Sequence, residues 1–287
     1  MQWGNHSLEF GARTLLMGVV NMTPDSFAGD GLRDDAEAAL IHARRFAAEG
    51  ADIIDVGGES TRPGAERVPA HEQIQRTVPA IRAIAAELDL PVSIDTTTAA
   101  VAEAALDAGA AIINDISALR DDPGMARLAA ERGVPVVLMH MKGTPATMQL
   151  APRYDDVVGE IRQFLAERID AAVAGGIDHE RIIVDPGIGF GKSVEHNCDI
   201  LRRLGELRAL GCPILVGTSR KSVVRLTLQS TELNDLLAGT AATIAIAIHN
   251  GADIVRVHDV AHMQRVARMA DAIVRTDAVA RSRGADT

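Results

Sequence analysis

Residues able to do chemistry recur at the ends of short apolar runs: Asn21, Asp55, Asp95, Asn114 with Asp115, Met139 with His140, Asp185, Ser219 to Ser222, and Arg256 with His258. If those runs are neighbouring strands, the set converges on one mouth as a ring of acids, amides and bases. Taken singly, each has a plainer reading. Asp95, ahead of three threonines, would cap a helix; Asp185, ahead of Pro186, would make a turn. Basic groups gather there too. Arg62 in GGESTRPG (57–64) sits between glycines as if presented from a loop, and Arg220, Lys221, Arg256 and His258 join it. A local cationic pocket in an acidic chain suits an anionic substrate, a carboxylate, phosphate or diphosphate.

Two near-motifs fail on a single residue. PGIGFGKS (186–193) resembles a phosphate-binding loop but has Pro186 where that pattern needs Gly, so it reads as a strand-end turn. HDVAH (258–262) lacks the Glu of a zinc helix, and His262 is expected on a helix surface. Met139 and Phe190 are residues that usually pack, here at a mouth where a flat ligand would stack. Cys198 and Cys212 match neither a metal nor a redox motif, which points to a reduced, cytoplasmic setting.

What must position these residues is an alternation of strands and helices. Eight Val- and Ile-rich runs, at 15–21, 51–57, 91–96, 111–117, 135–141, 181–187, 213–219 and 252–259, are continuously apolar, as in strands buried on both faces of a parallel sheet. GADIID (50–55), GAAIIND (109–115) and GADIVRV (251–257) repeat one helix-to-strand joint. Eight units favour an α/β fold with a single TIM (β/α)8 barrel, one domain over 1–287 with its core at about 15–274 and short tails. The connections are asymmetric. Helix-to-strand joints are tight, whereas the loops after strands 1, 2 and 5 (22–34, 59–70 and 142–154) run to about a dozen residues each, a length that in compact domains usually means function.

Composition excludes several partners. With 29 Lys plus Arg against 39 Asp plus Glu, the formal charge is −10, against a nucleic-acid footprint. One Trp, one Tyr and five Phe are too few for a base-stacking platform. At 47% hydrophobic and 24% charged residues the chain folds. Its longest uncharged apolar run, 240–248, is well short of a membrane span, and the first residues do not look like a secretory signal.

The ordered set NMTPDSF (21–27), DVGGESTRPG (55–64), SIDT (93–96), IINDI (112–116), LMHMKGTPATMQ (138–149), DPGIGFGK (185–192), GTSRKS (217–222) and RVHDV (256–260) closely resembles the dihydropteroate synthase family. The resemblance implies a TIM barrel and a homodimer. It implies condensation of 6-hydroxymethyl-7,8-dihydropterin diphosphate with 4-aminobenzoate, in folate biosynthesis, releasing diphosphate with Mg²⁺ present, and a sulfonamide target. Carried over by matching positions, Asp95, Asn114, Met139, Asp185, Phe190, Gly217 and Lys221 would bind the pterin. Asn21, Arg62, Arg256 and His258 would hold the diphosphate, with Asn21 near Mg²⁺. Thr61, Arg62, Pro63, Lys221 and Ser222 would surround 4-aminobenzoate. Asp95, Lys221, Arg256 and His258 would carry catalysis by an SN1-like path, with charge stabilisation and loop closure replacing a strong general base.

The chain departs from the usual pattern at Ala28 to Gly31, at Thr96 to Thr98 where a basic residue is common, and at Arg225 where Gly is expected. Two rivals remain at this level. Pterin-binding methyltransferases that serve a corrinoid share the acid and amide strand ends but do not need TPDSF, STRPG or SRKS. An inactive relative would show loss at Asn21, Arg62, Lys221 or Arg256, and all four are present.

Overall fold

The computed structural model describes residues 1–23, 35–60, 64–65, 67–144, 147–148 and 151–275. Eight strands form the sheet: β1 (Leu15–Asn21), β2 (Ile53–Gly57), β3 (Val92–Asp95), β4 (Ile112–Asp115), β5 (Val136–Met139), β6 (Ile182–Asp185), β7 (Leu215–Val216) and β8 (Ile254–Val257). They pair in parallel in the order β6-β5-β4-β3-β2-β1-β8-β7. A parallel bridge between Val184 and Ile214 brings the two ends together, so the sheet curls into a barrel. β1 coincides with its apolar run and β2 ends with its own, whereas the other strands begin and end one to three residues inside theirs, the outer residues lying outside the ladder. β7 is the shortest, with Ile214 spent on the bridge.

Helices α1 (Ala36–Ala48), α2 (Ala70–Glu87), α3 (Ala99–Asp107), α4 (Gly124–Arg132), α5 (Val157–Ala174), α6 (Val194–Arg202), α7 (Ser222–Leu228), α8 (Leu233–His249) and α9 (Val260–Val274) surround it. Local chemistry fixes several of their ends. The Asp35 carboxylate accepts from Ala38 N at the start of α1, and Ser193 with His196 forms a reciprocal capping box at α6. The repeated GAD and GAA joints have a backbone cause: Gly50, Gly109 and Gly251 all take φ near +100°, a conformation that turns the chain from helix to strand and that a side chain resists.

Ile53, Ile54, Ile94, Ile112, Ile113 and Leu138 are fully buried, as continuous apolar strands require. The opposite end from the mouth is stoppered by an antiparallel hairpin pairing Gln2 with Ser7 and Trp3 with His6. Buried Trp3 donates its indole N–H to Ala111 O at 2.8 Å, just before β4. Every strand therefore delivers its last residue to the other, open end.

Candidate active site

Register decides which residues share the mouth. Asn21 lies beside Gly57, Gly57 beside Asp95, and Asp95 beside Asn114, so four strand ends present one level and one face. One step below, Val19, Asp55 and Ser93 are neighbours. Met139 is registered with Asp185 across β5 and β6.

At the centre lies an acid–base cluster. Arg256 donates from Nε to Asp55 Oδ2 at 2.7 Å and from Nη2 to Asp95 Oδ2 at 2.8 Å. Asp55 is fully buried and Asp95 keeps 12% of its side chain exposed. Burial opposes charge on Arg256, but the two carboxylates outweigh it and hold the guanidinium above its ordinary pKa. Burial pushes Asp95 up to about 7 against the pull of Arg256. Asn114 Nδ2 also faces Asp55, at 3.3 Å. The capping reading of Asp95 is thus overturned: Thr98 holds the N-cap position of α3, Ala99 N donates to Asp122 Oδ2 at 2.8 Å, and the Asp95 carboxylate is spent on Arg256.

Asp185 combines both of its readings. Its Oδ1 accepts from Gly187 N at 2.7 Å, the turn chemistry expected before Pro186. It is also buried: burial raises its pKa, while Lys221, the Gly187 amide, Lys192 and Arg256 pull it down. Lys221 donates to Ile188 O at 2.7 Å and sits 4.6 Å from the Phe190 ring centroid. Burial lowers its pKa to about 8, with Asp185 opposing. Ile116, Met139, Met141 and Met148 form a separate apolar cluster with Phe190 packed on it, a patch fitted to a planar ring. Gly217 leaves room: a Cβ there would lie 3.6 Å from both Lys221 Nζ and the Arg256 side chain.

His258 pairs with Ser219, Nδ1 to Oγ at 3.0 Å, at the rim. Arg220 holds Asp259 through two contacts of 2.7 and 3.0 Å, bracing the loops after β7 and β8. The expected cationic pocket is therefore charge-paired where it is described: Arg256 with Asp55 and Asp95, Arg220 with Asp259. Ser222 is exposed at the first position of α7, Arg225 is exposed on the same helix, and His262 is exposed on α9. Thr61, Arg62, Pro63 and the segment Ala28 to Gly31 lie outside the described residues. At the threonines, Thr97 Oγ1 accepts from Arg67 at 2.8 Å, so a basic group from the loop after β2 reaches this spot.

Sequence reasoning placed Asp55 in the ring at the strand ends but assigned it no binding or catalytic role, and dismissed the phosphate-loop motif that holds Lys192. A lone acid inside IIDVG, a strand apolar on both faces, was the available signal for the first. Lys192 is 97% buried, and its Nζ meets His140 Nδ1 at 2.9 Å and Phe190 O at 2.9 Å.

The family described as pterin binding enzyme matches residues 17–258. The dihydropteroate synthase of Synechocystis sp. is 47% identical over 272 residues, 95% of this chain and 94% of that one. A Yersinia pestis dihydropteroate synthase, solved as a sulfonamide drug complex, superposes with TM-score 0.90 at 42% identity over 95% of this chain and 99% of that one. The Xanthomonas albilineans enzyme in complex with 7,8-dihydropteroate superposes with TM-score 0.79 at 41% identity over 91% and 93%.

Proposed function

The chain belongs to the pterin-binding enzyme family, and on that premise we propose how its barrel mouth serves the dihydropteroate synthase reaction. The enzyme is a transferase of folate biosynthesis, condensing 6-hydroxymethyl-7,8-dihydropterin diphosphate with 4-aminobenzoate to give 7,8-dihydropteroate and diphosphate. The observation that carries the site assignment is a buried carboxylate, Asp185, beside Lys221 and under the Met139 and Phe190 patch. A carboxylate there accepts two parallel hydrogen bonds from the 2-amino and ring N–H edge of a pterin. Asn114 and Lys221 complete that edge, and the slot beside Gly217 keeps the ring flat.

The C–O bond to diphosphate breaks heterolytically, its electron pair leaving on the diphosphate oxygen. Positive charge spreads into the dihydropterin, and Asp95 stabilises it. The neutral aromatic amine of 4-aminobenzoate then attacks the methylene carbon and releases its proton to water. Arg256 and His258, with Arg62 from the loop after β2, receive the diphosphate. Arg256 must loosen from Asp55 and Asp95 to do so, so anion binding and the charge state of Asp95 are linked. Thr61, Pro63, Lys221 and Ser222 enclose the aminobenzoate.

Mg²⁺ fits this mouth in a limited way. Among the described residues no cluster of three or more His, Cys, Asp or Glu could hold a metal, so the ion would draw most of its oxygens from diphosphate and water. Asn21, half-buried at the end of β1, would supply one hard oxygen. Bound there, Mg²⁺ would neutralise charge on the leaving diphosphate.

A second copy of the chain would cover the apolar side chains exposed on α7, α8 and α9: Leu226, Leu228, Leu233, Ile246, Met269 and Ile273. Light scattering tests that homodimer. No described helix is long and apolar enough to cross a membrane. Both cysteines are free thiols, in keeping with a cytoplasmic setting. Diphosphate and dihydropteroate are assayed with each reactant, or Mg²⁺, omitted in turn, with Arg256→Ala alongside. Product that requires all components and collapses in the variant supports the assignment; pterin binding without dihydropteroate would bring the corrinoid methyltransferase or inactive-relative reading forward.

A further inference from the structure

Lys192 ends the loop after β6 in a place where a lysine is costly. Only 3% of it is exposed, and among the described residues no acid forms an ion pair with it. Instead Nζ meets three acceptors: His140 Nδ1 at 2.9 Å, Phe190 O at 2.9 Å and His140 O at 3.3 Å. Burial drives the Lys192 pKa well down and Lys221 adds to this, while the Asp185 carboxylate opposes it; the three acceptors, one for each N–H of an ammonium, favour the charged form against that burial. Burial first, then the charge of Lys192, lowers the pKa of His140 to about 2, so the imidazole is neutral, and facing an ammonium its Nδ1 is the acceptor. Its ring is wedged edge-on against Phe164, with centroids 4.9 Å apart. Tyr154 closes the same corner by donating to Gly191 O at 2.8 Å.

These contacts tie two strand ends together. His140 N donates to Asp185 O at 2.9 Å, and the Gly187 backbone, at φ +69°, passes so close to His140 O that a Cβ would lie 1.9 Å from it. Phe190, the aromatic wall of the slot, is held through its own carbonyl by Lys192. The charges facing Asp185 come from three directions: Lys221 after β7, Lys192 in its own loop and Arg256 on β8. Neutral His140 flanks it just after β5, and Asp55 and Asp95 lie beyond Arg256.

Building on the assignment of Asp185 to the pterin edge, we propose that Lys192 is a positioning residue for pterin binding. Its buried ammonium holds the Phe190 wall against His140 and keeps the Asp185 carboxylate ionised to accept the pterin edge. Lys221 reaches the Phe190 ring and Ile188 O from the loop after β7, whereas Lys192 is more deeply buried and holds the Phe190 backbone to His140.

The probe is 6-hydroxymethylpterin, which lacks diphosphate and so reports the ring alone. Its affinity is followed by fluorescence between about pH 5 and 8 for the wild type, Lys192→Gln, Lys192→Arg and Asp185→Asn. Glutamine keeps donors for the carbonyls but removes the charge. Losing a nearby cation raises the pKa of Asp185, so the acidic limb, where affinity falls as the carboxylate protonates, should move up by about one pH unit. Affinity within the limb should then fall about tenfold, with the KM for 4-aminobenzoate unchanged. Lys192→Arg should return the limb to its wild-type position. Two outcomes overturn the inference: Lys192→Gln with the wild-type limb, or an equal loss at every pH with the 4-aminobenzoate KM rising in parallel. If the Gln variant does not fold, a shifted limb in Lys192→Arg overturns it, and an unshifted limb with a raised pterin KM supports it. Asp185→Asn separates the layers: wild-type binding there refutes the pterin assignment itself, whereas weakened binding there beside an unchanged Lys192→Gln refutes only the role of Lys192.

Discussion

Replacing Asp55 by Asn probes the centre of the mouth with almost no change of shape. The carboxylate is fully buried, takes Arg256 Nε at 2.7 Å and faces Asn114 Nδ2 at 3.3 Å. An amide has one acceptor oxygen, so it can serve Arg256 or Asn114 but cannot neutralise a guanidinium. Breaking a buried ion pair from one side costs about 3–5 kcal/mol. Arg256 retains Asp95 and keeps 22% of its side chain exposed, so the lower end applies, about 3 kcal/mol. For a chain of this size that is a fall in Tm of roughly 6 °C. Urea unfolding gives the free energy directly, and dihydropteroate formation gives the KM for the pterin diphosphate, which should rise as Asn114 and Arg256 lose their common anchor. Arg256→Met in the same background should recover part of the stability, because the buried charge left unpaired is then removed as well. A single variant costing less than about 1 kcal/mol, with the double variant equal to the sum of the singles, would refute the claim that Asp55 anchors the cluster.

Other outcomes follow from the same geometry. The pH profile of kcat/KM for the pterin substrate should be bell-shaped. Asp95, raised to about 7, must lose its proton, so activity falls as pH drops through that value; Lys221, lowered to about 8, must keep its proton, so activity falls as pH rises past it. Lys221→Arg should abolish the alkaline limb; an unchanged limb would assign it elsewhere. Gly187→Ala should yield little soluble protein, since its Cβ would meet His140 O at 1.9 Å at a positive φ. Gly217→Ala, whose Cβ meets only ordinary contacts at 3.6 Å, should fold normally and raise the pterin KM, as thermal melts and kinetics would show. Trp3→Ala at the opposite end should cost about 3–5 kcal/mol of stability without altering either KM. A changed KM there would mean the hairpin communicates with the mouth.

Local pattern was enough for the strands, the tight helix-to-strand joints and the residues at each strand end, because continuous apolar runs and glycine punctuation act over a few residues. Asp95, Asn114, Met139, Asp185 and Lys221 were all legible as mouth residues for that reason. Their family roles came from the ordered motifs, which no single spacing supplies. What the sequence did not contain was who pairs with whom. Arg256 meets Asp55 across 201 residues of chain and Asp95 across 161, contacts that exist only once the last strand closes beside the first. That closure turns an expected set of free cations into a charge-paired centre and takes Asp95 away from the helix it precedes. It also buries Lys192, which in sequence is one more lysine after glycine, against a histidine 52 residues earlier. Periodicity along a strand is local and survives in the sequence; burial and electrostatic pairing depend on distances that only the closed barrel sets.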